Sequence, residues 1–156
     1  MLYIIYMEKD IAIPIVLEVW QITSEYAIVE QYDDSLLIRF QYWNEKQEKV
    51  RDKNGLLLFK NVYAVRYCCY NKTRYYPKEV EHSYKSYYLE IPNSSWLAEL
   101  KEKRESYDKN WEKYDHRNYK HYVFLNNSYY IEIIATCVDF QVESRLAHYN
   151  KIWNEV

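Results

Sequence analysis

The sequence predicts an α+β fold, in which a mainly antiparallel β-sheet of about six to eight strands packs against one long helix and a short C-terminal helix. Three observations lead to this prediction. The first half of the chain alternates apolar and polar residues, one stretch over about residues 94–114 has helical periodicity, and no regular strand–helix–strand repeat occurs. With 156 residues, the chain is expected to form a single domain over residues 1–156 that buries a core without disulfides.

The first hairpin is predicted between residues 26–32 and 36–43. These segments flank Asp33-Asp34-Ser35, which are turn-forming residues. A three-residue loop places Ile28 opposite Phe40 and gathers the apolar side chains on one face. A two-residue loop slips the register by one residue and mixes the two faces. We therefore expect the three-residue loop.

Two longer strands are predicted further along the chain. One covers residues 56–70 and follows Gly55, the only glycine. The other covers residues 129–142 and forms the second arm of a hairpin that begins at residues 121–125. The turn between those arms contains Asn126-Asn127-Ser128, and loops of two or three residues are both allowed there.

The long helix follows Asn93, Ser94 and Ser95, which are candidate N-cap residues. A break near residues 106–108 would divide the helix in two, since Ser106 and Asp108 can also act as caps. The short C-terminal helix has Ser144 as a candidate cap. The helical stripes consist of Leu97, Leu100, Arg104, Tyr107, Trp111 and Tyr114 in the first helix, and of Leu146, Tyr149, Trp153 and Val156 in the second.

Composition excludes several classes of function. One glycine is too few for a phosphate-binding loop, a dinucleotide-binding fingerprint or a glycine-flanked nucleophile elbow. The 21 basic and 23 acidic residues nearly balance, so the net charge does not attract nucleic acid or anionic lipid.

The apolar N-terminus lacks a basic leader region, so we expect no export signal, no membrane span and a cytoplasmic location.

Neither a metal nor a cofactor is expected. The chain has no C-x-x-C or H-E-x-x-H spacing. Cys68 and Cys69 are neighbours in a predicted strand, where their side chains would point to opposite faces. Together with Cys137 they make an odd number, and we expect buried, unpaired thiols in a reducing compartment.

His121 and Glu132 are the candidate catalytic residues. A two-residue loop in the second hairpin places His121 directly opposite Glu132, whereas a three-residue loop places Tyr122 there. Glu132 lies in the apolar run 130–134, where a buried carboxylate needs a partner and could act with the histidine as base and orienter. A solvent-facing glutamate or a simple cross-strand pair is favoured, because no nucleophile or oxyanion donor can be placed beside the two residues.

Two stretches interleave aromatic and basic residues, residues 70–88 and residues 107–122. Such mixtures can stack single-stranded nucleic acid, but acidic residues dilute the positive charge of both stretches. Recognition of a protein suits them better, since Tyr, Trp and Arg are the residue types that dominate binding energy at interfaces. Packing of the helix on the sheet, and tyrosine enrichment in an AT-rich genome, are simpler explanations. The candidate binding residues are Arg74, Tyr75, Tyr76, Tyr84, Tyr87, Trp111, Tyr114 and Arg117.

The absence of a catalytic signature, together with the aromatic residues, predicts a non-enzymatic protein-interaction module. Its partner would be another protein, or a second copy of the chain in a homodimer. In size, charge and aromatic content the chain resembles small bacterial interaction proteins, including immunity and antitoxin types. The alternatives are a small-ligand or carbohydrate-binding domain, a His/Glu-dependent hydrolase and a single-stranded nucleic-acid binder.

Overall fold

Two antiparallel sheets lie face to face and share one apolar core. The computed structural model describes residues 10–69, the backbone of 76–77, and residues 88–153. The elements are β1 (Ile11–Pro14), β2 (Trp20–Gln21), β3 (Ile28–Tyr32), β4 (Ser35–Phe40), β5 (Tyr42–Trp43), β6 (Lys53–Lys60), β7 (Ala64–Cys68), β8 (Tyr76–Pro77), β9 (Tyr88–Ile91), α1 (Ser95–Tyr107), a 3₁₀ turn (Trp111–Lys113), β10 (Lys120–Leu125), β11 (Tyr130–Ala135), β12 (Cys137–Ser144) and α2 (Ala147–Ile152).

The sheet topology confirms the α+β class and its mainly antiparallel character. A six-stranded sheet has the order β7-β11-β10-β9-β1-β8, a four-stranded sheet has the order β12-β6-β4-β3, and β2 pairs with β5. Only β1 and β8 pair in parallel among the described strands. There are more strands than the predicted six to eight, because long predicted strands are divided. None of the helices in the described part of the chain is long and apolar enough to cross a membrane.

Both long predicted strands break at one corner of the molecule. Strand β6 continues into β7, and β11 continues into β12, so each ribbon passes from one sheet to the other. Asn61 stands at this corner with a φ of 51°, and its amide donates to Thr136 Oγ1 at 2.9 Å. The Thr136 N–H donates to the Lys60 carbonyl at 3.1 Å. The strands bend here because a sandwich corner requires its strands to change sheets.

Aromatic rings fill the space between the two sheets. Phe40 and Phe59 from the four-stranded sheet meet Phe124 and Tyr122 from the six-stranded sheet, with ring centroids 5.9 Å and 5.5 Å apart, respectively. All four rings are buried. Their contacts therefore hold the two sheets together through apolar burial and ring packing.

The predicted three-residue loop of the first hairpin is wrong. Tyr32 pairs with Ser35 and Ile28 pairs with Arg39, so the loop is the two-residue turn Asp33-Asp34. This register does place apolar residues on both faces, but each face buries part of them. Alternate residues of β4 point into the core, while Ile28 packs under Tyr149 and Trp153 at the C-terminal end of the chain.

The second hairpin has neither of the two loops that were considered. Leu125 pairs with Tyr130, which leaves a four-residue loop between them. The side chain of Asn126 donates to the Glu25 carbonyl at 2.7 Å, and the Asn127 N–H donates to the Thr23 carbonyl at 2.9 Å. These tertiary hydrogen bonds select the longer loop, which local turn preferences do not predict.

The helices are shorter than predicted. Helix α1 ends at Tyr107, near the possible break, and the 3₁₀ turn follows instead of a continuation to residue 114. Ser94 is its N-cap, as proposed. Ser144 does not cap α2, because it is the last residue of β12 and the helix begins after Leu146, without a side-chain cap.

The cysteines are unpaired, but they are not buried as expected. Cys69 and Cys137 are exposed and Cys68 is half-buried. Cys69 directly follows the edge strand β7, and Cys137 begins the edge strand β12. Residues at these edges have fewer neighbours than residues of a central strand, which explains their exposure.

Replacing Gly55 with alanine is expected to destabilise the protein by roughly 1–3 kcal/mol. Gly55 lies opposite Phe40 on the neighbouring strand. A Cβ there would lie 2.5 Å from Cζ and 2.7 Å from Cε2 of the Phe40 ring, which is packed in the core. Urea unfolding of Gly55→Ala measures the loss. In a Phe40→Leu background the same substitution should cost much less, and equal costs in both backgrounds would show that the ring contact is not the cause.

Candidate functional site

A carboxylate is buried on the face of the six-stranded sheet that points away from the shared core. Glu132 in β11 is 2% exposed, and Arg66 lies directly opposite on β7. The Arg66 guanidinium donates through Nε to Glu132 Oε2 and through Nη2 to Oε1, the latter at 3.0 Å. A two-point contact of this kind fixes the geometry of both groups and compensates part of the cost of burying the charge.

His121 and Ser94 extend this contact into a chain of polar groups. His121 is fully buried; its Nε2 lies 3.0 Å from Glu132 Oε1 and its Nδ1 lies 2.6 Å from Ser94 Oγ. Ser94 Oγ also accepts the Leu97 N–H at 2.9 Å. In the neutral tautomer with its proton on Nε2, His121 donates to Glu132 and accepts the Ser94 hydroxyl proton at Nδ1. We call Ser94, His121, Glu132 and Arg66 the buried polar chain.

Trp96 covers the buried polar chain from the first turn of α1. The Arg66 guanidinium lies 4.0 Å from the centre of the Trp96 ring. His121 meets the same ring edge-on, with centroids 5.1 Å apart. Trp96 is itself buried. The cation–π contact and the ring packing therefore fasten the start of α1 to the sheet at the point where the ionic groups are buried.

His121 and Glu132 are in contact, as one of the two predicted loops implied, although both predicted registers are wrong. A solvent-facing Glu132 is also wrong, because the side chain is buried. Val123 is the residue opposite Glu132, and His121 lies two positions away on the same face. The two side chains thus meet diagonally, which the alternation of side chains in a strand allows. Ser94 entered the sequence analysis only as a cap, and Arg66 was not considered as a partner, because its strand pairs with β11 only in the tertiary fold.

The buried polar chain has the order hydroxyl, imidazole and carboxylate, an order that can activate a serine nucleophile. Two features favour a structural role. Ser94 Oγ caps α1. The depressions beside the 107–117 segment are lined by none of the four residues of the buried polar chain.

A second candidate site is the segment from residue 107 to residue 117, which we call the aromatic loop. Trp111 anchors it: the ring is buried and lies under the Arg104 guanidinium, 4.7 Å from its centroid. Asp115 accepts from Arg104 Nη1 at 2.7 Å and from the Tyr119 hydroxyl at 2.7 Å. It also accepts the N–H of Arg117 at 3.1 Å. These bonds hold both ends of the loop on the body of the protein.

The hydrogen bonds at Asp115 change its acidity. Burial alone would raise the pKa of the carboxyl, but the hydrogen bonds from Arg104, Tyr119 and the Arg117 N–H outweigh burial and lower the pKa to about 2. On the other side of the contact, the hydrogen bond to Asp115 raises the pKa of Arg104. Asp115 therefore stays ionised at every physiological pH and holds the loop throughout that range.

The aromatic loop displays large side chains to solvent. Tyr107 is 92% exposed and Tyr114 is 81% exposed, and Arg117 is exposed as well. An open depression of about 510 Å³ lies beside Tyr114 and is lined also by Arg104, Asp115, His116 and Arg117. The enclosed gap behind the loop, near Tyr63, has a volume of only about 10 Å³. That gap holds no more than a water molecule, so it cannot accept a small ligand.

Most of the other candidate binding residues lie outside the part of the chain that the structure describes. Arg74, Tyr75, Tyr84 and Tyr87 lie outside the described residues. The backbone of Tyr76 belongs to β8, which pairs with β1. Of the predicted set, the structure brings together Trp111, Tyr114 and Arg117 in the aromatic loop. Trp111 is the buried support of that loop, and Tyr114 and Arg117 are on its surface.

One aromatic feature was missed by the sequence analysis. Tyr26, Tyr129 and Tyr67 form a row of rings, with centroids 6.3 Å and 5.2 Å apart. The middle ring is buried and the outer two are 67% and 61% exposed. Because the three residues come from distant segments, no local pattern indicates the row. Within the described residues, no group of three or more His, Cys, Asp or Glu side chains could hold a metal ion.

Comparison of the chain with protein-family models, with curated proteins and with solved structures finds no match.

Replacing Asp115 with asparagine is expected to lower thermal stability at neutral pH and to have less effect in acid. The pKa of Asp115 lies near 2 in the folded protein, against an ordinary value of 3.8. The stability that the Asp115 carboxylate contributes is therefore fully present above pH 3.8 and is lost as the pH falls toward 2. Melting curves across this range should show the two proteins converging. Asp139→Asn, at an exposed carboxylate bound to Lys60, is the control. A constant difference between the wild type and Asp115→Asn would contradict the assignment.

Replacing Glu132 with glutamine is expected to destabilise the protein by roughly 3 kcal/mol, because it removes the anion that binds the Arg66 guanidinium. Ser94→Ala is expected to cost about 1 kcal/mol through loss of the helix cap. Urea unfolding measures both. The double variant Arg66→Met/Glu132→Gln should recover part of the Glu132→Gln loss, since it removes the cation as well. Strictly additive losses would show that the two charges do not stabilise each other.

Proposed function

We propose that the protein is a non-enzymatic interaction module that binds another protein through the aromatic loop. The proposal is carried by one observation: Tyr107, Tyr114 and Arg117 are exposed on a segment whose ends are held by the buried Trp111 and by Asp115. Tyrosine and arginine are enriched at the centres of protein interfaces, where they bury a large area and keep a polar tip.

The fixed conformation of the aromatic loop supports a binding role more strongly than the exposure of its side chains alone. Ordering a flexible loop on association costs free energy, and that cost is avoided when the free protein already holds the loop in place. Here the contacts of Arg104 with Trp111 and Asp115 fix the backbone beneath the exposed rings. Two tyrosines that stand out from a fixed backbone can enter pockets of a partner with little further loss of freedom.

The charges around the loop indicate the chemistry of the partner. Lys109 and Lys113 are exposed, and neither forms an ion pair within the described residues. Arg117 is exposed beside them, whereas the nearby Asp115 is already neutralised by Arg104. The exposed Asp108 and Glu112 offset two of these three cations, so the surface that meets a partner is aromatic with a small positive excess. We infer a protein partner that offers carboxylates around an apolar pocket or ridge.

A cytoplasmic role of the immunity or antitoxin type would fit these features, and the compositional resemblance supports it. Such proteins act by occupying a surface of a second protein, which requires no catalytic group of their own. Under this proposal, the gene beside this one would encode a toxin with an acidic surface. The adjacent gene product is accordingly the first partner to test.

Substitution of the loop tyrosines is expected to abolish capture of the partner. The tagged wild type would be incubated with lysate of its native cells and the bound proteins measured by quantitative mass spectrometry, alongside Tyr107→Ala/Tyr114→Ala. Tyr26→Ala/Tyr32→Ala is the matched control, since those tyrosines are 67% and 62% exposed on another part of the surface. A stoichiometric partner kept by the control and lost by the loop variant is the expected result.

Equal recovery of the partner by both double variants would refute binding through the aromatic loop. Circular dichroism and melting temperature establish that the loop variant is folded, which the high exposure of both side chains leads us to expect. Arg117→Glu gives a second measurement, because it reverses charge at the surface without removing a ring. It should weaken binding to an acidic partner more at low than at high salt concentration.

A further inference from the structure

In the part of the chain that the structure describes, strand β12 forms an open edge of the four-stranded sheet. It pairs with β6 over its whole length from Cys137 to Ser144, and β6 is its only partner strand among the described residues. With eight residues it is longer than β3 (Ile28–Tyr32), the strand at the opposite edge. An open edge of this length presents a row of backbone groups that another strand can bind.

The hydrogen-bonding pattern shows which groups of β12 point outward. The Arg145 N–H, directly after the strand, donates to the Asp52 carbonyl at 2.9 Å, and the register of β12 with β6 continues to this pair. In an antiparallel ladder such bonds recur at every second residue. Cys137, Asp139, Gln141 and Glu143 therefore bond toward β6. The N–H and C=O groups of the alternate residues, Val138, Phe140, Val142 and Ser144, point away from the sheet.

Strand β12 lacks the proline and basic residues that commonly block an edge strand. Its two carboxylates already have partners on their own sheet, since Asp139 lies 3.1 Å from Lys60 and Glu143 lies 2.6 Å from Arg39. Val142 nevertheless remains 41% exposed at the outer end of the core face. The edge is thus accessible, nearly neutral and partly apolar.

The residue pattern of β12 matches a second copy of itself. Antiparallel pairing about a two-fold axis at Phe140 sets Val138 opposite Val142 of the second copy, and Phe140 opposite its equivalent. On the other face, Asp139 lies opposite Gln141, and Cys137 opposite Glu143. No two carboxylates are then directly opposed, and the apolar residues continue the core face across the axis. In this register the outward-pointing groups of Val138, Phe140 and Val142 form the hydrogen-bonded pairs.

We propose that the protein forms a homodimer in which β12 pairs antiparallel with β12 of a second copy, centred on Phe140. The two four-stranded sheets then join into one eight-stranded sheet across a two-fold axis, an isologous interface of the kind that closes on itself. This interface involves none of the residues of the aromatic loop. The dimer is therefore independent of the proposed function, and either can fail without the other.

A charge substitution at Gln141 tests the dimer without disturbing the core. Gln141 is exposed on the outer face of the sheet, and pairing brings it opposite Asp139 of the second copy, twice per dimer. Gln141→Lys should tighten the dimer and Gln141→Glu should weaken it, each by roughly 3- to 30-fold for two cross-strand pairs. Sedimentation equilibrium over a concentration series measures the dissociation constants. Gln31→Lys and Gln31→Glu, on the opposite edge strand β3, are the matched controls and should change nothing.

Residue-resolved amide hydrogen exchange provides a second measurement. The outward N–H groups of Val138, Phe140 and Val142 should exchange slowly at high protein concentration and rapidly on dilution, because only the second copy protects them. The N–H groups of Asp139 and Gln141 face β6 and should be protected at both concentrations. This contrast between neighbouring residues distinguishes strand pairing from association through another surface.

Three results would overturn the proposal. A protein that stays monomeric into the high micromolar range has no such interface. A dimer that responds to substitution of Gln31 and not of Gln141 pairs through β3 instead. A dimer in which the N–H groups of Val138, Phe140 and Val142 exchange at the same rate before and after dilution is held together elsewhere on the molecule.

Discussion

The corner at Asn61 and Thr136 is the constraint on which the rest of the structure depends. At this corner β6 leaves the four-stranded sheet and continues as β7 of the six-stranded sheet, while β11 leaves the six-stranded sheet and continues as β12 of the four-stranded one. The turn requires a positive φ at Asn61, and its side chain bonds across to Thr136. Because β7 and β11 emerge from the corner already paired, Arg66 is brought opposite Glu132 without any local signal in either strand.

The burial of that one carboxylate determines where α1 lies. A charged group in the apolar run of β11 must be paired and hydrogen-bonded, and the partners come from β7, β10 and the N-cap of α1. The Ser94 cap and the Trp96 ring therefore fix the start of the helix on the sheet. Leu97 and Leu100 of α1 add apolar contacts with the same region. After the helix ends at Tyr107, Trp111 and Asp115 fasten the following segment.

Local signals succeeded at the start of α1, where Ser94 was one of three predicted cap candidates, because a cap and its hydrogen-bond partner lie within a few residues of one another. The helix end near residue 107 was foreseen only as a possible break in a helix predicted to reach residue 114. The register of the first hairpin could not be predicted from its apolar pattern, because that argument assumes one solvent face. Helix α2 covers the face that the pattern left to solvent, and Ile28 is buried there. The prediction of buried cysteines failed for a related reason, because a strand pattern does not reveal which strands lie at the edges of a sheet.

The sequence by itself determined the fold class and excluded glycine-dependent sites, because both follow from composition or from the alternation of residues along a strand. Only the tertiary structure decided the partners of Glu132, the two hairpin loops and the edge position of β12. These depend on which strands pair across long separations in the chain, and such pairing is selected by burial of whole faces and by hydrogen bonds between distant segments. No short window of sequence contains that information.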